Sequence, residues 1–326
     1  MKVLVTARSF RKTPGRHKEL LEQSGYRIIE SPLDRPLKEG EMVELITDVD
    51  GAILGLDDVT AKVIEAGCQL KVLSRYGVGV DRVDLRAATE AGVVVTNTPG
   101  TNHIAVAELT LGLMMSLARR IPQHDRSVRE GSWERVRGSE LAGKTLGIVG
   151  LGWISRELIR RASAFDMKIV VQTAYPDKEL ADHYGLEYVP LADLLERADY
   201  VSLHCAVTPE RCDLIGEKEL RAMKRSCYLI NTARGELVDE EALLTALQEG
   251  WIAGAAMDAF KEEPATASPL VRLDNFIATP HIGAATFESI LRMGTLAVEN
   301  TLQVLRGERP PYVVNPEVYR KPKWKR

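Results

Sequence analysis

The chain has 326 residues, of which 45% are hydrophobic and 27% are charged, and its formal net charge is −3. This length suffices for two domains with separate hydrophobic cores, and the composition is ordinary for a globular protein. The small negative charge argues against a nucleic-acid-binding protein, and the sequence contains no apolar run long enough to span a bilayer. We therefore expect a globular protein that binds neither nucleic acid nor a membrane.

The four cysteines show no CxxC spacing, which indicates reduced, structural thiols in a cytoplasmic protein and gives no sign of a metal site. The chain opens directly on a strand pattern at Lys2–Thr6, so we expect no targeting leader. At the other end, the basic segment Lys321–Arg326 is interpreted as a frayed, solvated terminus.

Strand-like apolar runs alternate with helical patterns along nearly the whole chain, an order typical of α/β domains with parallel sheets. The strands predicted in the first set lie at residues 2–6, 26–30, 51–54, 71–74 and 93–97. Helices are predicted between most of them, for example at residues 17–24 and 84–91. The turn Asn97–Gly100 ends this set, and a long helix is predicted from about residue 104 to residue 120.

A second alternating set occupies the rest of the chain. It begins at Thr145–Gly150, and its later predicted strands lie at residues 168–173, 200–204, 228–231, 254–257 and 276–278. A helix predicted at residues 286–306 then returns the chain to the first part. We therefore expect residues 1–98 and 285–326 to form one discontinuous domain and residues 99–284 to form the other. The predicted fold class is α/β, with two Rossmann-like, doubly wound parallel-sheet domains and a cleft between them.

A turn that contains Gly150 and Gly152 follows one predicted strand and opens a helix. Glycines at these positions allow a tight turn and let the backbone approach a pyrophosphate at the helix N-terminus. Such turns are common, so the signal depends on its position between a strand and a helix. Ser155 stands where a third glycine is expected for close packing of helix on strand. We expect the serine to reduce that closeness without preventing binding.

About twenty residues further on, such sites usually carry an acidic residue that binds the ribose and repels a 2′-phosphate. Thr173 occupies that position here and does neither strongly. We therefore expect NAD as the cofactor, with NADP possible. The alternative interpretation is that Thr173 only ends a strand.

Three polar side chains follow predicted strands in the C-terminal half, namely Arg234, Glu263 and His281. A guanidinium can hold a substrate carboxylate, and a carboxylate can orient an imidazole that moves a proton. Arg234 could instead pair with the acidic helix start at Asp239–Glu241. Glu263 could be a solvated loop acid, and His281 could be a buried core histidine. Their shared position at the ends of strands favours a site suited to redox chemistry at a 2-hydroxy or 2-keto acid.

The segment Arg75–Asp81, in the first part of the chain, is another glycine-containing loop after a predicted strand. Backbone N–H groups of Gly77, Val78 and Gly79 could bind a carboxylate. The alternative interpretation is a simple flexible turn.

These segments, in this order, resemble the D-isomer-specific 2-hydroxyacid dehydrogenases over almost the full chain. Within that family they are most like the catalytic portion of the D-3-phosphoglycerate dehydrogenases. Further motifs that carry the resemblance are Asn97–Gly100, Ala107–Gly112 and Gly131–Arg135. The resemblance implies hydride transfer between a nicotinamide cofactor and a D-2-hydroxy or 2-keto acid. It also assigns substrate binding to residues 1–98 and 285–326, and dinucleotide binding to residues 99–284.

The resemblance implies roles for the residues of both sites. Arg234 binds the substrate carboxylate and keto oxygen, His281 is the general acid/base, and Glu263 hydrogen-bonds to His281. From the other domain, the segment Gly77–Gly79 binds the substrate carboxylate. The residues implied to contact the cofactor are Gly150, Gly152, Trp153, Ile154, Thr173, Cys205, Thr232, Ala233, Asp258 and Gly283.

The resemblance also implies which part of the cofactor some of these residues contact. Trp153 and Ile154 lie at the pyrophosphate, Thr173 lies at the adenosine ribose, and Asp258 contacts the nicotinamide carboxamide. Cys205 lies beside the adenosine portion, and the alanine after it stands where family members commonly have a proline, which could loosen the adenine wall.

A 3-phosphoglycerate-like acid is the first expectation for the substrate, because of the resemblance. Arg75, and Arg135 reaching from a partner subunit, are the candidate phosphate ligands, although both could be surface residues. Reduction of hydroxypyruvate or glyoxylate is the alternative. Family members are usually dimers held by a helical arm, here at about residues 118–139, so a homodimer is expected.

Two further expectations follow from the same resemblance. We expect no regulatory C-terminal domain, because the sequence stops soon after the predicted last helix. Transcriptional corepressors also resemble this family, so a protein that senses NAD(H) without metabolic turnover is the rival interpretation.

Overall fold

The structure is a computed structural model, and it describes residues 1–324. The chain divides into two compact units, one formed by Met1–Asn102 with the segment that begins at Ala285, the other by His103–Ala284. Each unit contains a single sheet in which all strand pairs are parallel.

The first unit is built on a five-stranded sheet. Its strands are β1 (Lys2–Val5), β2 (Arg27–Glu30), β3 (Gly51–Leu54), β4 (Val72–Arg75) and β5 (Val94–Thr96). Their order is β2-β1-β3-β4-β5, and the central strand β3 is buried along its whole length because it is covered on both faces. The connecting helices are α1 (Arg8–Lys12), α2 (Arg16–Gln23), α3 (Glu39–Ile46), α4 (Ala61–Ala66) and α5 (Leu85–Glu90).

The second unit is built on a seven-stranded sheet. Its helices are α6 (His103–Arg119), α7 (Ile121–Arg129), α8 (Trp153–Ser163), α9 (Lys178–Tyr184), α10 (Leu191–Arg197), α11 (Glu217–Ala222) and α12 (Glu240–Glu249). Its strands are β6 (Thr145–Val149), β7 (Lys168–Gln172), β8 (Glu187–Tyr188), β9 (Tyr200–Leu203), β10 (Tyr228–Asn231), β11 (Gly254–Met257) and β12 (Phe276–Ala278).

The order of these strands is β12-β11-β10-β9-β6-β7-β8. Successive residues of one strand enter opposite cores: Leu229 packs with Val201 on one face, and Ile230 packs with Ile148 on the other. The prediction of two α/β domains with parallel sheets is confirmed. Strand order reverses between β6 and β9, and in open sheets of this kind ligands bind where the loops after two such strands diverge.

After β12 the chain returns to the first unit through α13 (Phe287–Leu305). The Thr286 hydroxyl caps this helix by accepting from the Ser289 N–H at 3.1 Å. Gly294 lets α13 approach α2 closely, because a Cβ at this position would lie 2.8 Å from Cβ of His17. His17 is fully buried at this contact, and its Nε2 lies 3.1 Å from the Phe10 carbonyl oxygen.

Burial of His17 makes the stability of the protein sensitive to acid. Burial lowers the pKa of His17 below the ordinary histidine value of 6.5, so the imidazole is neutral in the folded state. The unfolded chain therefore binds a proton more readily, and the stabilisation present above pH 6.5 is lost as the pH falls. We expect the free energy of unfolding to fall less steeply from pH 7 to pH 5 in His17→Gln. Denaturant titrations at each pH measure this free energy. For the exposed control His183→Gln, its dependence on pH should equal that of the natural protein. An equal dependence on pH in the natural protein, His17→Gln and His183→Gln would contradict the prediction.

The segment that follows α13 covers the edge strand β5. Val313 forms an antiparallel bridge with Thr96, and the Val314 N–H donates to the Val95 carbonyl oxygen at 2.8 Å. The buried Asn315 side chain accepts from the Val95 N–H at 2.8 Å. An edge that is paired in this way is protected against pairing with another chain.

The prediction of a frayed C-terminus is wrong for Lys321–Trp324. Lys323 donates through Nζ to the Leu70 carbonyl oxygen at 2.7 Å, and Trp324 donates through Nε1 to the Gly92 carbonyl oxygen at 2.9 Å. The hydrocarbon stem of Lys323 and the indole of Trp324 can pack against the protein, and a count of charges does not reveal this. The rest of that prediction, at Lys325 and Arg326, lies outside the described residues. Within residues 1–324, no helix has the combination of length and apolar character needed to cross a membrane.

Candidate active site

The turn after β6 has the geometry needed for a nucleotide diphosphate. Gly150 has a φ of 95°, and a Cβ on it would lie 2.8 Å from the backbone nitrogen of Cys205. Only glycine fits this left-handed and crowded position without strain. Gly152 is the N-cap residue of α8, and a Cβ there would meet nothing within 4 Å. The first N–H groups of α8 therefore open onto unobstructed space, as an anion at a helix N-terminus requires.

Ser155, at the position where a third glycine was expected, forms a hydrogen bond within this turn. Its side chain is fully buried, and its hydroxyl donates to the Gly150 carbonyl oxygen at 2.7 Å. The hydroxyl thereby ties the first turn of α8 to the glycine turn, so the serine adds a hydrogen bond where a glycine would add none.

The loop after β9 forms the other side of this switch point. Cys205 is half-buried, and burial raises the pKa of its thiol, which keeps it protonated near neutral pH. The preceding residue, His204, lies 2.8 Å through Nε2 from the Ser202 hydroxyl. Burial lowers the pKa of His204 to about 4, so this ring is neutral. Among residues 1–324, its Nδ1 is a buried atom without a hydrogen-bond partner.

The turn after β10 presents Arg234. Asn231 organises this turn: its Nδ2 donates to the Arg234 carbonyl oxygen at 2.7 Å, and its Oδ1 accepts from the Ala233 N–H at 3.0 Å. The Arg234 guanidinium donates to the Ala233 carbonyl oxygen at 2.8 Å. Next to it, the Thr232 hydroxyl lies 2.8 Å from that of Thr110 on α6. The turn is therefore held by hydrogen bonds on both sides of the arginine.

Asp258, directly after β11, holds the loop that carries His281. This carboxylate is 1% exposed; it accepts from the Thr279 hydroxyl at 2.6 Å, the Ile282 N–H at 2.8 Å and the Gly283 N–H at 2.7 Å. Burial raises the pKa of Asp258, while these three donors favour its ionised form. The network holds the backbone directly after the histidine and the Thr279 side chain before it.

His281 and Glu263 form the pair that the resemblance implied. Nδ1 of His281 lies 2.9 Å from Oε1 and 3.0 Å from Oε2 of Glu263, whose Oε1 also accepts from the Phe260 N–H at 3.2 Å. A carboxylate accepts only, so Nδ1 carries a hydrogen and Nε2 is left to exchange a proton with a ligand. His281 has a φ of 52°, a left-handed conformation that costs a non-glycine residue roughly 1 kcal/mol or more. The side chains remain 29% and 23% exposed, so a ligand can reach them.

Because β10, β11 and β12 are neighbours in one parallel sheet, the segments that carry Arg234, Glu263 and His281 all leave the sheet at its carboxyl edge. The glycine turn after β6 leaves from the same edge. One edge of the second unit thus carries a nucleotide turn, a guanidinium and an oriented imidazole. Among residues 1–324, no group of three or more His, Cys, Asp or Glu side chains is arranged to hold a metal ion.

In the first unit, the segment Gly77–Gly79 follows β4. Gly77 has a φ of 143°; its N–H donates to the Thr98 hydroxyl at 2.9 Å, and Asn97 donates through Nδ2 to the Val78 carbonyl oxygen at 2.9 Å. Val78 is 41% exposed. The Gly77 N–H is therefore engaged within the protein, and the N–H groups of Val78 and Gly79 are the candidates for a ligand carboxylate.

Arg75 is the last residue of β4 and is half-buried. Its guanidinium turns back over the loop and donates to the carbonyl oxygen of Tyr76. A Cβ on Gly77 would lie 2.8 Å from the Arg75 Nη1, so the glycine also leaves room for the guanidinium. The predicted phosphate ligand is thus already in contact with its own loop.

Sequence reasoning missed one charged residue near the predicted ribose position. Arg156 on α8 donates to Asp177 at 2.7 Å, and Asp177 lies in the loop that begins at Thr173. Arg156 precedes Thr173 in the chain, and its approach to the loop after β7 is visible only in the folded structure.

A parallel sheet with a glycine turn at its switch point defines a dinucleotide-binding domain. The model of a protein family described as the NAD-binding domain of D-isomer-specific 2-hydroxyacid dehydrogenases matches residues 111–283. D-3-phosphoglycerate dehydrogenase of Methanocaldococcus jannaschii is 46% identical over 283 residues, which cover 86% of this chain and 54% of that protein. The chain thus spans about half the length of this relative.

Two other relatives match over most of their own length. Glyoxylate reductase of Thermofilum pendens is 44% identical over 308 residues, which cover 89% of this chain and 88% of that protein. A solved structure from Thermus thermophilus is 39% identical, with a TM-score of 0.87 over 96% of this chain and 100% of that one. The chain therefore belongs to the family of NAD-binding D-isomer-specific 2-hydroxyacid dehydrogenases.

Proposed function

We propose that the protein catalyses reversible hydride transfer between NAD(H) and a D-2-hydroxy or 2-keto acid, with a 3-phosphoglycerate-like acid as its substrate. The observation that carries the proposal is the orientation of His281 by Glu263, through contacts of 2.9 and 3.0 Å. A histidine held in this way suits proton exchange with a hydroxyl or a carbonyl oxygen.

Each of the three side chains has a separate proposed role in the reaction. In oxidation, Nε2 of neutral His281 takes the proton of the substrate hydroxyl; in reduction, the imidazolium returns a proton to the carbonyl oxygen. Glu263 orients the ring and stabilises its cationic form. Arg234 holds the substrate carboxylate and stabilises the charge that develops on oxygen. The bound nicotinamide would supply the acceptor or donor of the hydride.

The cofactor is proposed to lie along the carboxyl edge of the second unit. Its pyrophosphate would meet the N–H groups of α8 at Trp153 and Ile154, and the Gly150 turn fits this role because it leaves that helix end open. Cys205 is assigned to the adenosine portion. Thr232, Ala233 and Gly283 are assigned to further cofactor contacts, and Asp258 is assigned to the nicotinamide carboxamide.

Asp258 has a structural role in addition to its proposed cofactor contact. Its two oxygens already accept three hydrogen bonds from the 279–283 segment. A carboxylate oxygen can accept more than one hydrogen bond, so the two roles are compatible.

Glyoxylate or hydroxypyruvate reduction is the second candidate. It is favoured by the match to a glyoxylate reductase over 88% of that protein's length, and by the contact of Arg75 with its own loop. NADH oxidation with phosphohydroxypyruvate, hydroxypyruvate, glyoxylate, pyruvate and 2-ketoglutarate tests both candidates. Turnover with none of these acids, together with tight NADH binding, would favour the NAD(H)-sensing alternative.

Replacing Arg75 tests the identity of the substrate. If its guanidinium binds a phosphate, Arg75→Ala should lower kcat/KM for phosphohydroxypyruvate about tenfold more than for hydroxypyruvate, because a charge-assisted contact is lost only with the former. Arg82→Ala is the control, since Arg82 directly follows the Arg75–Asp81 segment and pairs with Asp58 at 2.8 Å. Equal losses with both acids would assign Arg75 to the loop's structure and favour the smaller keto acids.

Thr173 is proposed to lie at the adenosine ribose and to discriminate weakly between NAD(H) and NADP(H). Thr173→Asp should sharpen the preference for NADH by roughly tenfold or more, because a carboxylate binds the ribose hydroxyls and repels a 2′-phosphate. Ratios of kcat/KM for NADH and NADPH measure the effect. If the natural protein already rejects NADPH by about three decades, on the order of 4 kcal/mol, another group discriminates.

The protein is also proposed to be a cytoplasmic homodimer. In the predicted arm, Ile121, Val128, Trp133 and Val136 are 50%, 50%, 77% and 49% exposed, which is unusual for large apolar side chains in one segment. A partner arm would cover them and would bring Arg135 to the other subunit. Sedimentation velocity of the protein and of Trp133→Glu checks this.

The free state of the four cysteines supports the cytoplasmic location.

A further inference from the structure

The loop after β7 is held in one conformation by its own hydrogen bonds. The Thr173 hydroxyl accepts from the Tyr175 N–H at 3.1 Å. The hydroxyl of Tyr188 on β8 accepts from the Asp177 N–H at 2.9 Å and donates to the Asp177 carbonyl oxygen at 2.8 Å. Asp177 also caps α9 by accepting from the Leu180 N–H at 3.0 Å. The position of the Asp177 carboxylate relative to Thr173 is therefore defined.

Arg156 reaches this loop from the first turn of α8. Its guanidinium donates to Oδ2 of Asp177 at 2.7 Å. The two side chains remain 43% and 29% exposed, so a ligand can approach them. The guanidinium consequently lies at the carboxyl end of β7, where dinucleotide-binding domains hold the adenosine ribose, and where a nearby arginine accommodates the 2′-phosphate of NADP.

The charges at this position differ from those of a site that excludes NADP(H). Thr173 brings no carboxylate to the ribose, and the carboxylate of Asp177 is paired with Arg156. A guanidinium has a planar arrangement of donors that suits a phosphate, and an exposed ion pair with Asp177 is weak enough for a dianion to displace.

We infer that Arg156 binds the 2′-phosphate of NADP(H), and that Asp177 limits this binding by competing for the same guanidinium. The protein consequently accepts both cofactors, and the Arg156–Asp177 pair sets their ratio. This inference relies on the proposal that Thr173 lies at the adenosine ribose, but it is independent of the assignments of His281, Glu263 and Arg234.

Binding of NADH and NADPH to the full chain, measured by isothermal titration calorimetry without substrate, tests the inference. Arg156→Ala should weaken NADPH binding about tenfold and change NADH binding less than twofold, because only NADPH loses a charge-assisted contact. Asp177→Asn should tighten NADPH binding about threefold, the scale of an exposed ion pair. Asparagine is also a good N-cap residue, so α9 keeps its cap.

Arg197→Ala is the matched control. Arg197 is exposed to the same extent as Arg156, 43%, and pairs with Glu187 at 2.9 Å. It ends α10, just before β9 begins, and therefore lies at the opposite edge of the sheet from the Thr173 loop. Its removal changes the net charge by the same amount, and both affinities should stay within twofold of the natural protein.

The affinities of the variants decide between the outcomes. A selective change for NADPH, downward in Arg156→Ala and upward in Asp177→Asn, supports the inference. Equal changes for both cofactors, no change in either variant, or a natural protein that binds NADPH about a thousandfold more weakly than NADH would overturn it. Since no turnover is measured, a wrong catalytic assignment would leave these results unchanged and would appear only as absent activity in the substrate panel.

Discussion

Replacement of His281 by alanine is expected to lower kcat by roughly two to four decades, the usual contribution of a general acid/base. The physical reason is the loss of the imidazole that Glu263 orients: Nδ1 lies 2.9 Å from the carboxylate, which leaves Nε2 to exchange the proton. NADH binding should survive, because His281 is assigned to the substrate and is not among the proposed cofactor contacts. Steady-state kinetics and calorimetric NADH binding give the two readouts.

Two further variants separate catalysis from folding. Glu263→Gln keeps the shape of the side chain but removes its charge, so its loss of kcat should be smaller than that of His281→Ala. His183→Ala removes an exposed histidine from α9 and should leave kcat unchanged. Near-normal turnover by a folded His281→Ala protein would rule out the assignment of His281.

Replacement of Arg234 by lysine should lower kcat/KM for the keto acid by about two to three decades, or roughly 3–4 kcal/mol. Lysine keeps the charge but loses the planar fork that can hold a carboxylate and a carbonyl oxygen at once. The Asn231 side chain holds the turn through the backbone of residues 233 and 234, so the turn itself should survive the substitution.

The comparison of kinetic constants shows whether Arg234 acts on the substrate. Arg225→Lys is the control, because Arg225 lies exposed before β10, at the opposite edge of the sheet. NADH affinity should be equal in both variants. A normal kcat/KM in Arg234→Lys would show that a point charge suffices, and a parallel loss of NADH affinity would assign the residue to the cofactor or to folding.

Local patterns in the sequence were sufficient to predict the fold class. Buried parallel strands are short apolar runs, and those at Gly51–Leu54, Tyr228–Asn231, Gly254–Met257 and Phe276–Ala278 have the predicted bounds. Most other predicted strands differ by one or two residues at their ends, where pairing with neighbours and not composition decides the boundary. The strand Glu187–Tyr188 was not predicted, because two residues carry no periodic signal.

Local patterns also indicated which residue types follow each strand, and therefore which chemistry each loop could carry. The glycine turn, Arg234, Glu263 and His281 were selected because each follows an apolar run. An isolated histidine or glutamate is more often a structural or solvated residue, so the prediction of a shared site depended on the common position of these groups at the ends of strands. Their contacts were not visible in the sequence.

Only the tertiary structure decided how these groups interact. Glu263 and His281 meet because β11 and β12 are neighbours, and Asp258 holds the backbone directly after the histidine. Arg156 reaches Asp177 because α8 packs beside the loop after β7. Each contact depends on strand order and on the direction of a side chain, which are set by packing over the whole unit. Composition and periodicity report only on neighbours in the chain, so the sequence alone determined the elements and their candidate chemistry, and the fold determined which side chains meet.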